Sequence, residues 1–492
     1  MTEGVRISLA LLSHTNAGKT TLARTLLRRD IGAVMDRAHV TEVAESHVLM
    51  TTPEGDVLVL WDTPGFGDSV RLLRRLEQGG NPLGWFLSQV WDRFADRPFW
   101  CSQQALRAAR DSADVLLYVI NATEDPASAG YVAPEVRILQ WLGKPALVLL
   151  NQVGPQSSAE IDSLLATQWR EMLDRHAPGL ACGVMSFDAF ARCWVQEHAL
   201  LAAVHECLPA ERHAGFVRLR EAWRDRDLQV LRQSALVIAE QLASTARDEA
   251  SVPGASIVGK ARHWLGKGPS TAGSPEEQLA QQELARRLDA VVRTCTGRLV
   301  ELHGLAGTAG ADLLQVMGGE FDTTRAVDAD RAGLWGGLVS GALSGLAADL
   351  AAGGMTFGTG AVLGGIAGAI GARKLTTLYN AEKGLSGTTV RWSAEFMEAR
   401  LASALVRYLA VAHFGRGRGD FQATSAPERW RDCVAAMLAE QESARATLWQ
   451  ELRTDTDTGV TRRLAEVVQA LLESTLRALY PAAAADLGGS TP

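Results

Sequence analysis

The sequence predicts a parallel α/β domain followed by a mainly α-helical region, and three observations carry that expectation. Apolar runs of strand length alternate with helical stretches as far as residue 190 or so. A turn rich in small residues, Asn16-Ala17-Gly18-Lys19-Thr20-Thr21, joins the first such run to a helix. From Ala191 onward the periodicity is helical.

The first apolar run, residues 5–12, reads as a buried strand and residues 23–29 as the helix that follows it. A strand, a Gly-Lys-Thr turn and a helix make a phosphate cradle, because N–H groups of the turn and of the helix N-terminus face the same point. The loop residues Ser13, His14, Thr15, Asn16, Ala17, Gly18, Lys19, Thr20 and Thr21 are therefore the candidate phosphate-binding set. Lys19 would reach the β- and γ-phosphates and the Thr20 hydroxyl would ligate Mg²⁺. Ser13 stands where the pattern G-x-x-x-x-G-K-[ST] has its first glycine. Residues 45–52 and 56–61, around Pro53-Glu54-Gly55, then read as a β-hairpin. Its second strand runs into Asp62-Thr63-Pro64-Gly65. An acidic residue at the end of a buried strand, followed by a glycine whose N–H can meet a γ-phosphate, is the Mg²⁺-side half of such a site. The two halves together read as a nucleoside triphosphate site.

These motifs resemble the Era- and septin-like branch of the translation-factor class of P-loop GTPases. Within it, the chain is similar to a bacterial family that couples an N-terminal GTPase domain to a long α-helical C-terminal domain. The motifs of the resemblance cover residues 1–200, which implies an α/β P-loop GTPase domain with a mostly parallel sheet flanked by helices. It implies GTP as ligand, hydrolysis of its terminal phosphate, and Ser13–Thr21 and Asp62–Gly65 as the phosphate loop and second switch. Lys19, Asn16, Thr41 and Gly65 become the catalytic candidates. Thr41 would be the first-switch threonine closing over Mg²⁺, so that Thr20, Thr41 and Asp62 form the metal set.

Three departures from that pattern matter. Phe66 follows Gly65 where Ras-like enzymes carry the glutamine that orients the attacking water. An apolar side chain cannot do that, so slow intrinsic turnover is expected. Asn16 stands where related potassium-activated enzymes hold a monovalent cation, which makes K⁺ an expected second cofactor. The strand at 146–150 ends in Asn151-Gln152-Val153-Gly154, where the family pattern expects Asn-Lys-x-Asp. Gly154 has no carboxylate for the guanine edge, and an unpaired buried polar edge costs about 1–3 kcal/mol. Asn151, Gln152 and Ser186, the last in Ser186-Phe187-Asp188-Ala189, are the base-side candidates. Asp188 either supplies the missing carboxylate or is an exposed loop aspartate.

A chain of 492 residues should hold two or three domains. The expected division is 1–200 for the nucleotide domain, 201–251 for a helical connector, 252–274 for a flexible loop, 275–481 for an α-helical domain and 482–492 for a disordered tail. Ser274-Pro275-Glu276-Glu277 reads as the start of a helix. The aromatic segment 80–100 reads either as a helix packing on the nucleotide domain or as a docking surface. A net charge of −7 gives no support to a nucleic-acid partner held by bulk charge. Six scattered cysteines without a C-x-x-C pair predict reduced thiols and no metal cluster. With no signal-peptide pattern at Met1-Thr2-Glu3-Gly4, a cytoplasmic location is expected.

Residues 332–372 carry one charge, Asp349, and glycines at four-residue spacing: Gly337, Gly341, Gly345 and then Gly360, Gly364, Gly368. Such glycine faces let helices approach closely. Two readings stand side by side: a hairpin touching the cytoplasmic face of the inner membrane, or a hairpin buried in the helical domain. A full span needs about 20 apolar residues, and the second arm is shorter. The function expected is a GTP-hydrolysing switch, with a membrane contact through 332–372 and self-association as its open partners. The alternative is a soluble, nucleotide-stabilised scaffold with little hydrolysis or relaxed GTP/ATP selection.

Overall fold

The computed structural model describes residues 4–28, 31, 43–77, 82–88, 96–153, 159–189, 193–252, 275–305, 375–379, 388–414, 427–440, 442–454, 458–481 and 487. Thr41, Gly154 and the apolar segment 332–372 lie outside the described residues, as do most of the 252–274 loop and the 482–492 tail. The chain forms two compact units, one built on residues 1–228 and one on 229–412 with 420–481.

The first unit is built on six strands: β1 (Arg6–Leu12), β2 (Glu45–Thr51), β3 (Val57–Asp62), β4 (Val115–Asn121), β5 (Ala146–Asn151) and β6 (Ala181–Ser186). Their order is β2-β3-β1-β4-β5-β6, and every pairing is parallel except β2 with β3. The antiparallel pair is the hairpin expected around Pro53-Glu54-Gly55. Gly55 turns it at φ 90° and donates to the Thr52 carbonyl at 3.0 Å, a conformation that favours glycine. Strand order reverses at β1, so the loop after β1 opens at the switch point where parallel α/β sheets bind ligands.

Helices cover both faces, as strands with no polar side require. On one side α1 (Lys19–Leu27), α7 (Trp194–Cys207) and the first part of α8 (Ala210–Arg247) pack Leu22, Leu200 and Trp223 against Ile7, Leu9 and Leu11. On the other, α2 (Ser69–Leu76), α3 (Pro82–Ser88), α4 (Arg97–Ser112), α5 (Val132–Gln140) and α6 (Ala159–His176) pack on Ala10, Leu12 and Tyr118. Of the aromatic segment, Phe86 and Phe99 meet edge to face at 6.2 Å and are buried in this second core. For these two rings the packing alternative holds.

The second unit contains the rest of α8 and α9 (Pro275–Leu302), which starts at the expected proline. It continues with α10 (Ala394–Ala412), α11 (Glu428–Ala439), α12 (Glu442–Thr454) and α13 (Thr458–Leu479). Helix α10 is buried along nearly its whole length, including Arg400 and Arg407. The Arg407 guanidinium donates to Gln241 Oε1 at 3.2 Å and Thr296 Oγ1 at 3.3 Å. Trp449 is fully buried and donates to Glu398. No described helix is long and apolar enough to cross a membrane.

Two findings differ from the sequence expectations. Strands do not end near residue 190: β7 (Glu249–Val252), β8 (Leu375–Tyr379) and β9 (Thr388–Trp392) form a small antiparallel sheet in the order β7-β9-β8. They are four or five residues long, too short for a periodicity to show, and β7 lies far in sequence from the β8–β9 pair it joins. Nor are all thiols reduced, because Cys182 and Cys207 form a disulfide across 25 residues. The first sits on β6 and the second ends α7, and that packing brings their Cα atoms to 5.9 Å.

Candidate functional site

The ends of β1, β3 and β5 converge on one site. After β1 the chain turns through Asn16 at φ 66° and Gly18 at φ 89° before α1 begins at Lys19. Asparagine is among the few non-glycine residues that tolerate the left-handed region. Gly18 is fixed by its φ and by space, since a Cβ there would lie 2.5 Å from Asn151 Nδ2. The turn leaves the first N–H groups of α1 facing outward, with no side-chain cap bonded at Gly18.

Lys19 is buried and donates to Ser13 Oγ at 2.8 Å and to the His14 carbonyl at 3.4 Å. Ser13 thus does with its hydroxyl what a glycine at this position leaves to backbone; it also bonds the His14 carbonyl. Burial lowers the Lys19 pKa to about 8, against the opposing pull of the Asp62, Glu135 and Cys101 charges. Thr20 Oγ1 donates to Asp62 Oδ2 at 2.8 Å. Asp62 Oδ1 is buried without a hydrogen-bond partner among the described residues. Burial raises the Asp62 pKa to about 6, while the Thr20 bond and the Lys19 charge oppose the rise. A buried carboxylate oxygen with nothing to accept from, beside a threonine hydroxyl, fits a hard divalent cation with oxygen ligands.

Beyond Asp62 the chain crosses the phosphate loop. Phe66 N–H donates to the Ser13 carbonyl at 2.9 Å and Thr15 N–H to the Phe66 carbonyl at 3.1 Å, a parallel bridge between loop and switch. Gly65 sits against Thr15 so tightly that a Cβ would fall 2.9 Å from the Thr15 Cα. The Phe66 ring is fully buried in the sheet's second core. It is turned away from solvent, so it neither orients water nor leaves space for it.

On the base side, Asn151 is fully buried and joins two loops. Its Nδ2 donates to the Ala17 carbonyl at 2.9 Å, and its Oδ1 accepts from Ala189 N–H at 2.9 Å. Thr25 on α1 donates to the Ala189 carbonyl at 3.1 Å. The phosphate loop, the end of β5 and the loop after β6 are thereby fixed as one piece. Gln152 follows at φ 63°, with Nε2 3.9 Å from the Cβ position built on Gly18. The Ser186 hydroxyl is buried without a partner among the described residues. Asp188, two residues on, is buried, which corrects the reading of it as an exposed loop aspartate.

Several residues at and behind this site carry no motif. Glu135 on α5 is fully buried and receives hydrogen bonds from His14, Ser69 and Tyr118. These partners lie 121, 66 and 17 residues away in sequence, so only the fold brings them together. His14 also stacks on Tyr131 with ring centroids 4.4 Å apart. Behind the site, Arg28 at the end of α1 donates to Glu197 at 3.1 Å on α7 and to Asp227 at 2.7 Å on α8.

The first unit has the fold of a P-loop GTPase domain. Residues 8–152 match the family model described as 50S ribosome-binding GTPase. Residues 170–479 match the model described as a domain of unknown function, DUF3482, and the chain belongs to that family. Among solved structures it is similar to Era in complex with MgGDPNP and a 16S ribosomal RNA fragment. That match has 16% identity over 51% of this chain and 72% of that one, with a TM-score of 0.32. Era from Aquifex aeolicus with GDP and AlF4⁻ matches at 15% identity over 59% and 90%, TM-score 0.32. Elongation factor SelB from Methanococcus maripaludis, with a GTP analogue, matches at 14% over 38% and 31%, TM-score 0.23. No curated protein matches the chain.

Proposed function

We propose that the chain is a GTP-binding switch that hydrolyses GTP to GDP and phosphate with slow intrinsic turnover. The carrying observation is the Thr20–Asp62 pair, with its unpartnered Asp62 oxygen, beside the buried ammonium of Lys19. In this reading Lys19 meets the β- and γ-phosphates, and the loop N–H groups from Asn16 to Thr21 hold the remaining oxygens. Thr20 and Asp62, joined by Thr41, hold Mg²⁺, which neutralises charge on the transferring phosphoryl group. Gly65 N–H faces the γ-phosphate. The close packing of Gly65 on Thr15 supports this, since any larger residue would lift the switch off the loop.

The residue after Gly65 cannot orient water, because Phe66 is apolar and buried. Turnover in this proposal therefore leans on a monovalent cation held by Asn16. At equal ionic strength, hydrolysis should be faster in K⁺ than in Na⁺, and equal rates would remove the cation from the account. Base selection is assigned to Asn151, Gln152 and Ser186, with Asp188 as the carboxylate that replaces the one missing at Gly154.

The buried Phe66 also favours the second reading, a scaffold that binds nucleotide and barely hydrolyses it. Release of phosphate from GTP by the purified chain, with and without K⁺, separates the two. The membrane part of the proposal rests on 332–372: the full chain is expected to float with liposomes, and recovery wholly in the soluble fraction removes it. Self-association would show as a nucleotide-dependent increase in mass. No nucleic-acid partner is part of the reading.

A further inference from the structure

The geometry points to Glu135 as a positioning residue for hydrolysis, clamping the second switch helix to the phosphate loop. This rests on the GTPase reading above and deepens it. Glu135 Oε1 accepts from His14 Nδ1 at 2.8 Å and from Ser69 Oγ at 2.5 Å, while Oε2 accepts from the Tyr118 hydroxyl at 2.7 Å. His14 belongs to the phosphate loop and Ser69 is the first residue of α2. Tyr118 is a fixed point on β4. A single carboxylate thus ties the loop that holds the phosphates and the helix that follows Gly65 to the sheet.

The chemistry suits a clamp. A carboxylate is an acceptor at both oxygens, so three donors converge on it without conflict. Burial, reinforced by the Glu135 charge, raises the Tyr118 pKa well above its usual value and keeps the phenol a donor. The Glu135 side chain is fully buried, so water does not compete for these bonds. Between Asp62 and Ser69 the switch meets the loop through the Phe66 bridge and the contact of Gly65 with Thr15. Those contacts set the near end of the switch, and Ser69–Glu135–His14 sets the far end. Gly65 N–H is then held in one place relative to the loop, which a positioned donor at a developing charge requires.

The test compares the full chain with Glu135→Gln and Ser69→Ala, measuring kcat for GTP at saturation, affinity for GDP and thermal midpoint. Gln keeps the shape of Glu135 but replaces one acceptor with a donor. GDP has no γ-phosphate, so its binding does not call on Gly65 N–H. A drop in kcat of about 10- to 100-fold with GDP affinity within about twofold is expected for Glu135→Gln. A smaller drop is expected for Ser69→Ala, and the double variant should be no worse than Glu135→Gln alone. If Glu135→Gln fails to fold, Ser69→Ala carries the same comparison. Unchanged kcat in the folded variants would overturn the clamp, as would parallel losses of kcat, GDP affinity and melting temperature. No hydrolysis by the unaltered chain would instead overturn the GTPase reading, and the clamp with it.

Discussion

At Lys19 and Asp62 the same burial acts in opposite directions. It lowers the ammonium to about 8 and raises the carboxyl to about 6, because in each case it disfavours the charged form. Nucleotide with Mg²⁺ needs both groups charged. Below pH 6 Asp62 takes up a proton and loses its grip on the cation; above pH 8 Lys19 loses its proton and its attraction for phosphate. Affinity should be greatest between those values and fall by up to about tenfold per pH unit outside them. Titration calorimetry across pH 5 to 9 checks this, and a flat profile would contradict the assigned roles. Most of this residue-scale chemistry is legible in sequence, since the phosphate loop and Asp62-Thr63-Pro64-Gly65 are contiguous. Ser13 taking part through its hydroxyl is not, and neither is Glu135. A buried carboxylate whose donors are 121 and 66 residues away has no local pattern.

Between elements, α1, α7 and α8 are joined by charge as well as by apolar packing. Arg28, Glu197, Asp227, Arg226 and His198 form one cluster around the end of α1. Burial would raise the Asp227 pKa, but the Arg28 guanidinium outweighs it, with help from His198 and Arg226, and the carboxyl titrates below its ordinary range. Removing one partner of a buried pair leaves an uncompensated charge. Asp227→Ala is therefore expected to cost about 3–5 kcal/mol in urea unfolding, whereas a loss under about 1 kcal/mol would show the cluster to be solvated. Further along the sheet edge, Arg218 of α8 holds Asp56 through two bonds of 2.6 and 2.8 Å and keeps its carboxyl down at about 2. The β2–β3 hairpin, α9 and the strand–helix alternation were readable because each rests on local periodicity or turn chemistry. The pairing of β7 with β9 and the Cys182–Cys207 bridge were not, because both are products of long-range packing.

For the molecule as a whole, a GTPase domain and a DUF3482 region share one chain, with α8 contributing residues to both compact units. The proposed switch requires that the first unit bind guanine nucleotide through Lys19, Thr20 and Asp62. The most direct test is calorimetric binding of non-hydrolysable GTP and ATP analogues with Mg²⁺, on the full chain and on Lys19→Ala. Binding of the GTP analogue, weaker binding of the ATP analogue, and loss of both in the variant are expected. Equal affinity for the two analogues would contradict guanine selection, and binding of neither would contradict the claim itself.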